Sequence, residues 1–293
     1  MLTRSNLVIP EILTEAIQGQ YAGQICLWGT GAAIVSPTMP NSGPAGGKIK
    51  GGDTIKIPYF GTIGELDDVG GETDALTPAT LSMTSETNTV KHSGKAVEIS
   101  DWAQLAAQYA DPYKEFARQL MIAVMRRADQ ALIDAATASL PSSQINDVSG
   151  GTNNLTYDVL VDSRMKWADE QQDIALLSVH STVFKNMLKL KDTTGRPLLI
   201  LPQDDIGALA RFNGIPVSVS DRNTIDGNGK FHSKVVKKGA LAFWYSKEPT
   251  VDTDKDILTD SEVMALHLYW VAHRYARTPG ATRPGVVDIV TDG

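Results

Sequence analysis

DPYKEFARQLMIAVMRRADQALIDAATASL, residues 111–140, carries an uninterrupted helical pattern. Asp111 suits an N-cap, because its side-chain oxygen can accept from the free N–H groups of a first turn. Pro112 follows at the position where a missing N–H costs nothing. No glycine or proline then interrupts until Pro141. Phe116, Leu120, Val124, Ala128, Ala131 and Ala135 recur every three or four residues and make one apolar stripe, with Arg118, Arg126, Asp129 and Asp134 largely off it. The pattern predicts one helix from Pro112 to about Thr137, a rod of about 40 Å at a rise of about 1.5 Å per residue. Such a rod needs an elongated domain to lie against.

Upstream, the period changes to two. Ile55, Ile57 and Tyr59 alternate with Thr54, Lys56 and Pro58, and Val97 and Ile99 alternate with Ala96 and Glu98. Between these limbs lies GTIGELDDVGGETDALTP, rich in glycine and acid. The expected structure over Lys48–Ser100 is a long β-hairpin with a large tip. Its outer half has few apolar residues, and an isolated ribbon is marginal in water, so the hairpin is expected either to be disordered in the monomer or to have its packing surface supplied by another chain. Residues 1–46, punctuated by glycine and proline, read as an extended arm. Ser100–Tyr109 reads as a short helix, with Asp101 and Gln104 at capping-box spacing.

Downstream, Leu155–Asp221 reads as a compact α/β segment. Helical spacing covers Tyr157–Ala168, strands are expected at Ile174–Val179, Leu198–Leu201 and Ile215–Val219, and Ser181 or Thr182 can cap a helix through Leu188. The chain is β again from Lys234. Ala240–Tyr245 is expected to pair with Val263–Tyr275, in which Met264, Leu266, Leu268, Trp270 and Ala272 share a face. About thirteen residues at about 3.3 Å each give a strand of roughly 43 Å, the length of the helix.

Composition narrows the function. The single cysteine, Cys26, excludes an intrachain disulfide framework and a multi-cysteine metal site. The N-terminal sequence has no apolar run of signal length, and no stretch has the length and apolarity of a membrane span; a reducing cytoplasm is the expected folding compartment. A net charge of −7 opposes tight nucleic-acid binding by the whole surface.

Catalytic patterns are missing. Gly29-Thr30-Gly31 opens a dinucleotide-like motif, but Ile34 replaces its third glycine. Asp252, Asp254 and Asp256 have the opening spacing of a calcium loop, but Ile257 and Val263 occupy its diagnostic glycine and glutamate positions; they read as a solvated acidic turn. His267 and His273 share a strand face and read as structural. Arg126-Arg127 and Lys234–Lys238 are small basic clusters expected to pair with carboxylates. We therefore expect no enzyme, no catalytic residue, no metal and no cofactor.

The order of parts is specific. GDTIKIPYFGTIGELDD, VEISDWAQLAAQYADPYKEFARQLMIAVMRRADQALI, HSTVFKNMLKLKDTTGRPLL and NGIPVSVSDRN follow one another as do the extended loop, spine helix, axial helix with its Lys191-Asp192, Gly195 and Leu198 turn, and the strand with Gly214, Pro216, Val217 and Asp221 of one family. The chain resembles the major capsid protein of tailed double-stranded DNA bacteriophages, the Hong Kong 97 fold.

The resemblance implies an α+β fold divided into an N-terminal arm (1–46), an extended loop (47–99), a peripheral domain with the spine helix (100–145), an axial domain (146–232) and a return to the peripheral domain (233–293). It implies a structural subunit that self-assembles, as hexamers and pentamers, into an icosahedral head enclosing DNA contacted non-specifically. Portal and scaffolding proteins are implied partners, the virion is the implied location after assembly in the host cytoplasm, and no membrane is involved. An arm that starts within a few residues of Met1 implies a mature-length chain or a separate scaffolding protein. Tyr59, Phe60, Glu65, Leu66, Asp67 and Asp68 of the loop, and Arg118, Arg126 and Arg127 of the spine helix, are the candidate intersubunit contacts. An encapsulin-type compartment shell keeps the same fold with different contents; an enzyme with a site in residues 155–221 is the third reading.

Overall fold

The computed structural model describes residues 27–28, 30–37, 39, 53–60, 66, 78, 80–81, 83–100, 112–150, 154–191, 194–200, 209–245, 250–256, 261–276 and 283–292. The expected helix at Ser100–Tyr109, the Asp111 cap, most of the expected hairpin tip and residues 1–26 lie outside the described residues. In chain order the strands are β1 (Ala33–Ser36), β2 (Thr54–Phe60), β3 (Met83–Thr89), β4 (Lys91–Ser100), β5 (Ile145–Asp147), β6 (Ile174–Val179), β7 (Leu199–Ile200), β8 (Arg211–Phe212), β9 (Ile215–Val219), β10 (Phe231–Lys237), β11 (Leu241–Tyr245), β12 (Thr250–Asp256), β13 (Ser261–Arg274) and β14 (Val286–Thr291). The helices are α1 (Pro112–Thr137), α2 (Tyr157–Met165) and α3 (Ser181–Lys189).

The long helix forms over the range its sequence dictates: α1 has 26 residues, about 39 Å of rod. It packs on β13 and β11. Leu120, Ala128, Ala131, Leu132 and Ala136 from the helix meet Leu266, Leu268 and Trp270 from β13 and Phe243 from β11. The small alanines let the helix approach the sheet closely, and the large side chains come from the strand. β11 pairs antiparallel with β13, Leu241 opposite Arg274 and Tyr245 opposite Trp270, as the alternation predicts. Ala265 and His267 of β13 face away from this core, opposite to Leu266 and Leu268 in the pleat.

Asp129 departs from the sequence reading. It was expected off the stripe, yet it is fully buried. Its Oδ1 accepts from the backbone N–H of Leu27 at 2.8 Å and of Trp28 at 3.4 Å. The chain enters the core at this point, and buried backbone donors need an acceptor. Beyond Leu27, β1 joins the sheet parallel to β11, and Trp28 meets Phe243 edge-on at 5.4 Å. The part of the arm from Leu27 to Met39 is thus built into the body rather than extended from it.

The hairpin is also built differently. β2 pairs with β3, Thr54 opposite Thr89 and Phe60 opposite Met83. The expected return limb, with Val97 and Ile99, is β4, and it pairs with β13 over ten residue pairs. The strand changes sheets at Val90, which is buried and donates its N–H to the Asp53 carbonyl at 2.9 Å. The ribbon base also has a core within its own chain, because Ile55 and Ile57 pack with Met39, Val90, Ala242, Trp244 and Val271.

The α/β unit follows its predicted elements closely. Among the described residues its sheet runs β5-β14-β10-β6-β9-β8-β7. Asn213 and Gly214 take positive φ, 50° and 81°, and make the tight β8–β9 turn that such a pair favours. The α3 cap is His180, whose Nδ1 accepts from the Thr182 N–H at 3.2 Å, in place of Ser181 or Thr182; the ring reaches the same orphan donor that a hydroxyl would. The division expected at residues 232–233 falls inside β10, which pairs with β6 on one side and β14 on the other. Asp252, Asp254 and Asp256 lie on β12 rather than in a turn, exposed and paired against β13.

If Asp129 anchors the incoming chain, Asp129→Ala leaves buried N–H groups without an acceptor and is expected to cost about 1–3 kcal/mol. Asp134→Ala, on the exposed face of the same helix, is expected to stay within about 0.5 kcal/mol. Urea midpoints of the two variants check this; equal losses would remove the anchoring role.

Candidate assembly surface

The ribbon β2–β3 is asymmetric along its length. At its base Ile55 and Ile57 are almost completely covered, at 3% and 2% exposure, whereas at its far end the paired Phe60 and Met83 are 60% and 61% exposed. Leu81 is half exposed and Leu66 fully so. The apolar side chains at the far end are therefore uncovered, while the base is fixed.

The fixing is polar as well as apolar. Glu86 of β3 meets His273 of β13, Oε2 to Nε2 at 2.7 Å, and its other oxygen accepts from the Ala276 N–H at 3.2 Å. Two residues on, Asn88 Nδ2 donates to the Ala272 carbonyl at 2.7 Å. His273 is buried and stacks against Trp244, with Tyr275 edge-on to both rings. Burial pushes the His273 imidazole below its ordinary value and outweighs the pull of Glu86; the Arg274 charge adds to the lowering. Arg274 in turn donates to the Ala138 and Ser139 carbonyls at 3.2 and 3.4 Å, satisfying acceptors left free at the end of α1.

The candidate contact residues fall into two groups on separate elements. Tyr59 and Phe60 end β2, and Leu66 stands in the segment beyond it; the Tyr59 side chain, Glu65, Asp67 and Asp68 lie outside the described residues. On α1, Arg118 is half-buried and Arg126 and Arg127 are exposed. Arg127 stands over the Trp270 ring at 5.3 Å, and Lys91 does so at the same distance. The Arg126 carbonyl accepts from Arg222 Nη1 at 3.1 Å. Of the expected lysine–carboxylate pairs, Lys237 meets Glu170 at 2.7 Å. The contacts that hold the ribbon base escaped the sequence reading because they join residues as far apart as Glu86 and His273, 187 positions. The available signal was Ile55 and Ile57, whose alternation demanded a cover.

Among the described residues no group of three or more His, Cys, Asp or Glu side chains is arranged to hold a metal. Among the described residues no helix is long and apolar enough to cross a membrane.

A long helix on a mixed, largely antiparallel sheet, a two-stranded ribbon and an α/β unit define a Hong Kong 97-type capsid fold. The solved structures agree. The capsid of Ralstonia phage GP4 aligns at TM-score 0.65 with 9% identity, covering 93% of this chain and 90% of that one. The capsid of an empty GTA particle aligns at 0.63 with 14% identity, covering 89% and 88%. A chain from Microbacterium phage Oxtober96 aligns at 0.61 with 14% identity, covering 88% of each. No curated protein matches the sequence. The phage capsid protein family matches residues 82–286, more than half of the 293, and the chain belongs to that family. Its function is that of a structural shell subunit of a phage head, and its place is the virion.

The His273 clasp gives stability a definite pH dependence. Its pKa in the folded protein lies below the roughly 6.5 of an unfolded histidine, so the unfolded chain takes up the proton first as pH falls. The contribution is intact above about pH 6.5 and declines as pH drops from there toward the depressed value. His273→Gln, which retains a donor for Glu86, is expected to flatten that part of the curve. Urea midpoints across this window test it, and an unchanged slope would assign the effect to another group.

Proposed function

We propose that the ribbon β2–β3 is the clamp between neighbouring subunits, and that hexamers and pentamers of this chain close into an icosahedral head around double-stranded DNA. The observation that carries the reading is the contrast in β2: covered isoleucines at the base, an uncovered Phe60–Met83 pair at the far end. A ribbon anchored at one end and bare at the other presents apolar area that a second surface can remove from water, at about 25 cal/mol per Å². The segment between the strands adds Glu65, Asp67, Asp68, Glu72 and Asp74 and no lysine or arginine. Its like charges favour a cationic partner, and the flank of α1 around Arg118, Arg126 and Arg127 on the adjacent subunit has that character. Tyr59, Phe60 and Leu66 then supply the apolar part of the contact. Because the partner surface exists only among folded neighbours, assembly stabilises each chain by mass action.

Within the subunit, residues 27–39, α1, β4, β11, β12 and β13 form the peripheral unit. The α/β unit takes in residues 142–237 and the C-terminal strand β14. Packaged DNA is contacted weakly and without sequence preference, in keeping with the net charge of −7. Portal and scaffolding proteins complete the set of partners, with assembly in the host cytoplasm.

Replacing residues 62–81 by a short Gly-Ser turn keeps the Phe60–Met83 pair and removes the acidic segment. The variant is expected to fold, with a melting temperature near that of the free parent subunit, and to form no shells in negative-stain images. Shells of ordinary size from this variant would show that the segment is not the clamp, and an unfolded product would show that it belongs to the subunit's own core.

A further inference from the structure

The face of β13 turned away from α1 carries a constructed pair of histidines. Directly opposite residues of antiparallel strands share a face. His92 of β4 is opposite Tyr269, and Gly94 is opposite His267. His92 Nε2 and His267 Nδ1 stand 3.2 Å apart, and both side chains are exposed. Each ring is held in place. His92 lies flat on Tyr269, with centroids 4.4 Å apart and planes 11° from parallel. His267 lies across Gly94, where a Cβ would come within 2.9 Å of its Nδ1. A side chain at position 94 would press on that ring and on the Leu266 carbonyl, also 2.9 Å from the added Cβ, and so disturb the pair.

We propose that His92 and His267 form a two-nitrogen site for a transition cation of the zinc, nickel or copper(II) class. Two imidazole nitrogens on one tetrahedral ion, each about 2.0–2.1 Å from it, stand about 3.3 Å apart; the separation here is 3.2 Å. Imidazole suits these cations and not calcium or magnesium. The local charge favours them too. Among the described residues of β4, β12 and β13, pairing puts Glu98, Asp252, Asp254 and Asp256 on the same face as the histidines, and Lys91, Lys95, Lys255, Glu262 and Arg274 on the opposite one. An acidic face raises the local concentration of cations. Water fills the remaining coordination positions. His267 shares its strand and its parity with His273, but its neighbour His92 lies 175 residues away, and only the β4–β13 register joins them.

The test is zinc titration of the full-length protein by calorimetry at neutral pH, with copper(II) electron paramagnetic resonance as a second readout. One ion per subunit is expected, with nitrogen hyperfine structure in the copper spectrum and a saturable rise in Tm. His92→Gln and His267→Gln are each expected to weaken binding by more than the roughly 10–100-fold that loss of a mere supporting residue costs. Gly94→Ala is expected to weaken it with both ligands kept, and His180→Gln to leave it unchanged. A hydrogen-bonded pair only, seen as no saturable binding, overturns the proposal, as does binding that survives either glutamine substitution.

Discussion

A rod of 26 residues with one apolar stripe can be buried only by something of its own length. β13, with 14 residues at about 3.3 Å each, is about 46 Å long and meets that requirement. The rest of the subunit is arranged around this match. β11, β12 and β4 pair with β13, and β1 extends the sheet beyond β11. The ribbon is clasped to the end of β13 through His273, and Arg274 reaches back to close the last turn of α1. One strand thus serves as floor for the helix, spine of the sheet and anchor of the ribbon.

How far the sequence could be read followed the range of the interactions. α1, β6, β9 and the β11–β13 pairing depend on local period, and each was legible within a residue or two. Pairing partners were less so. β3 and β4 form one nearly continuous extended run, and alternation says nothing about which sheet each half joins; that depends on Val90 being buried and on its bond to Asp53. Asp129 misled for a related reason. A carboxylate on a helix is ordinarily solvated, and the need for an acceptor arises only when residues 27–28 arrive from about a hundred positions away. The contact candidates were chosen by type alone, as apolar residues without a cover and charge without a balance, and type does not name a partner.

Two kinds of surface coexist on β13. The side toward α1 is filled with large apolar groups and tolerates little change in volume. The other side passes from Val271 and His273, which are buried, through Tyr269, half-buried at the edge of the same cluster, to His267, which is exposed. The strand pattern alone does not separate these environments, since His267 and His273 share parity. The ribbon separates them, by covering one end of the face and not the other.

The change of sheet at Val90 also sets dimensional accuracy. Because β3 continues into β4 with a single residue between them, the ribbon cannot slide relative to the body without dragging β4 along β13. A slip of one residue there would turn every β4 side chain to the wrong face, taking Val97 out of contact with the helix-side core. The reach of the ribbon is therefore quantised by the β4–β13 ladder and admits no intermediate setting. Steps of about 3.3 Å are the smallest error available, each opposed by a whole strand of mispaired side chains, so identical copies project the same length of ribbon and a closed surface can be tiled from them.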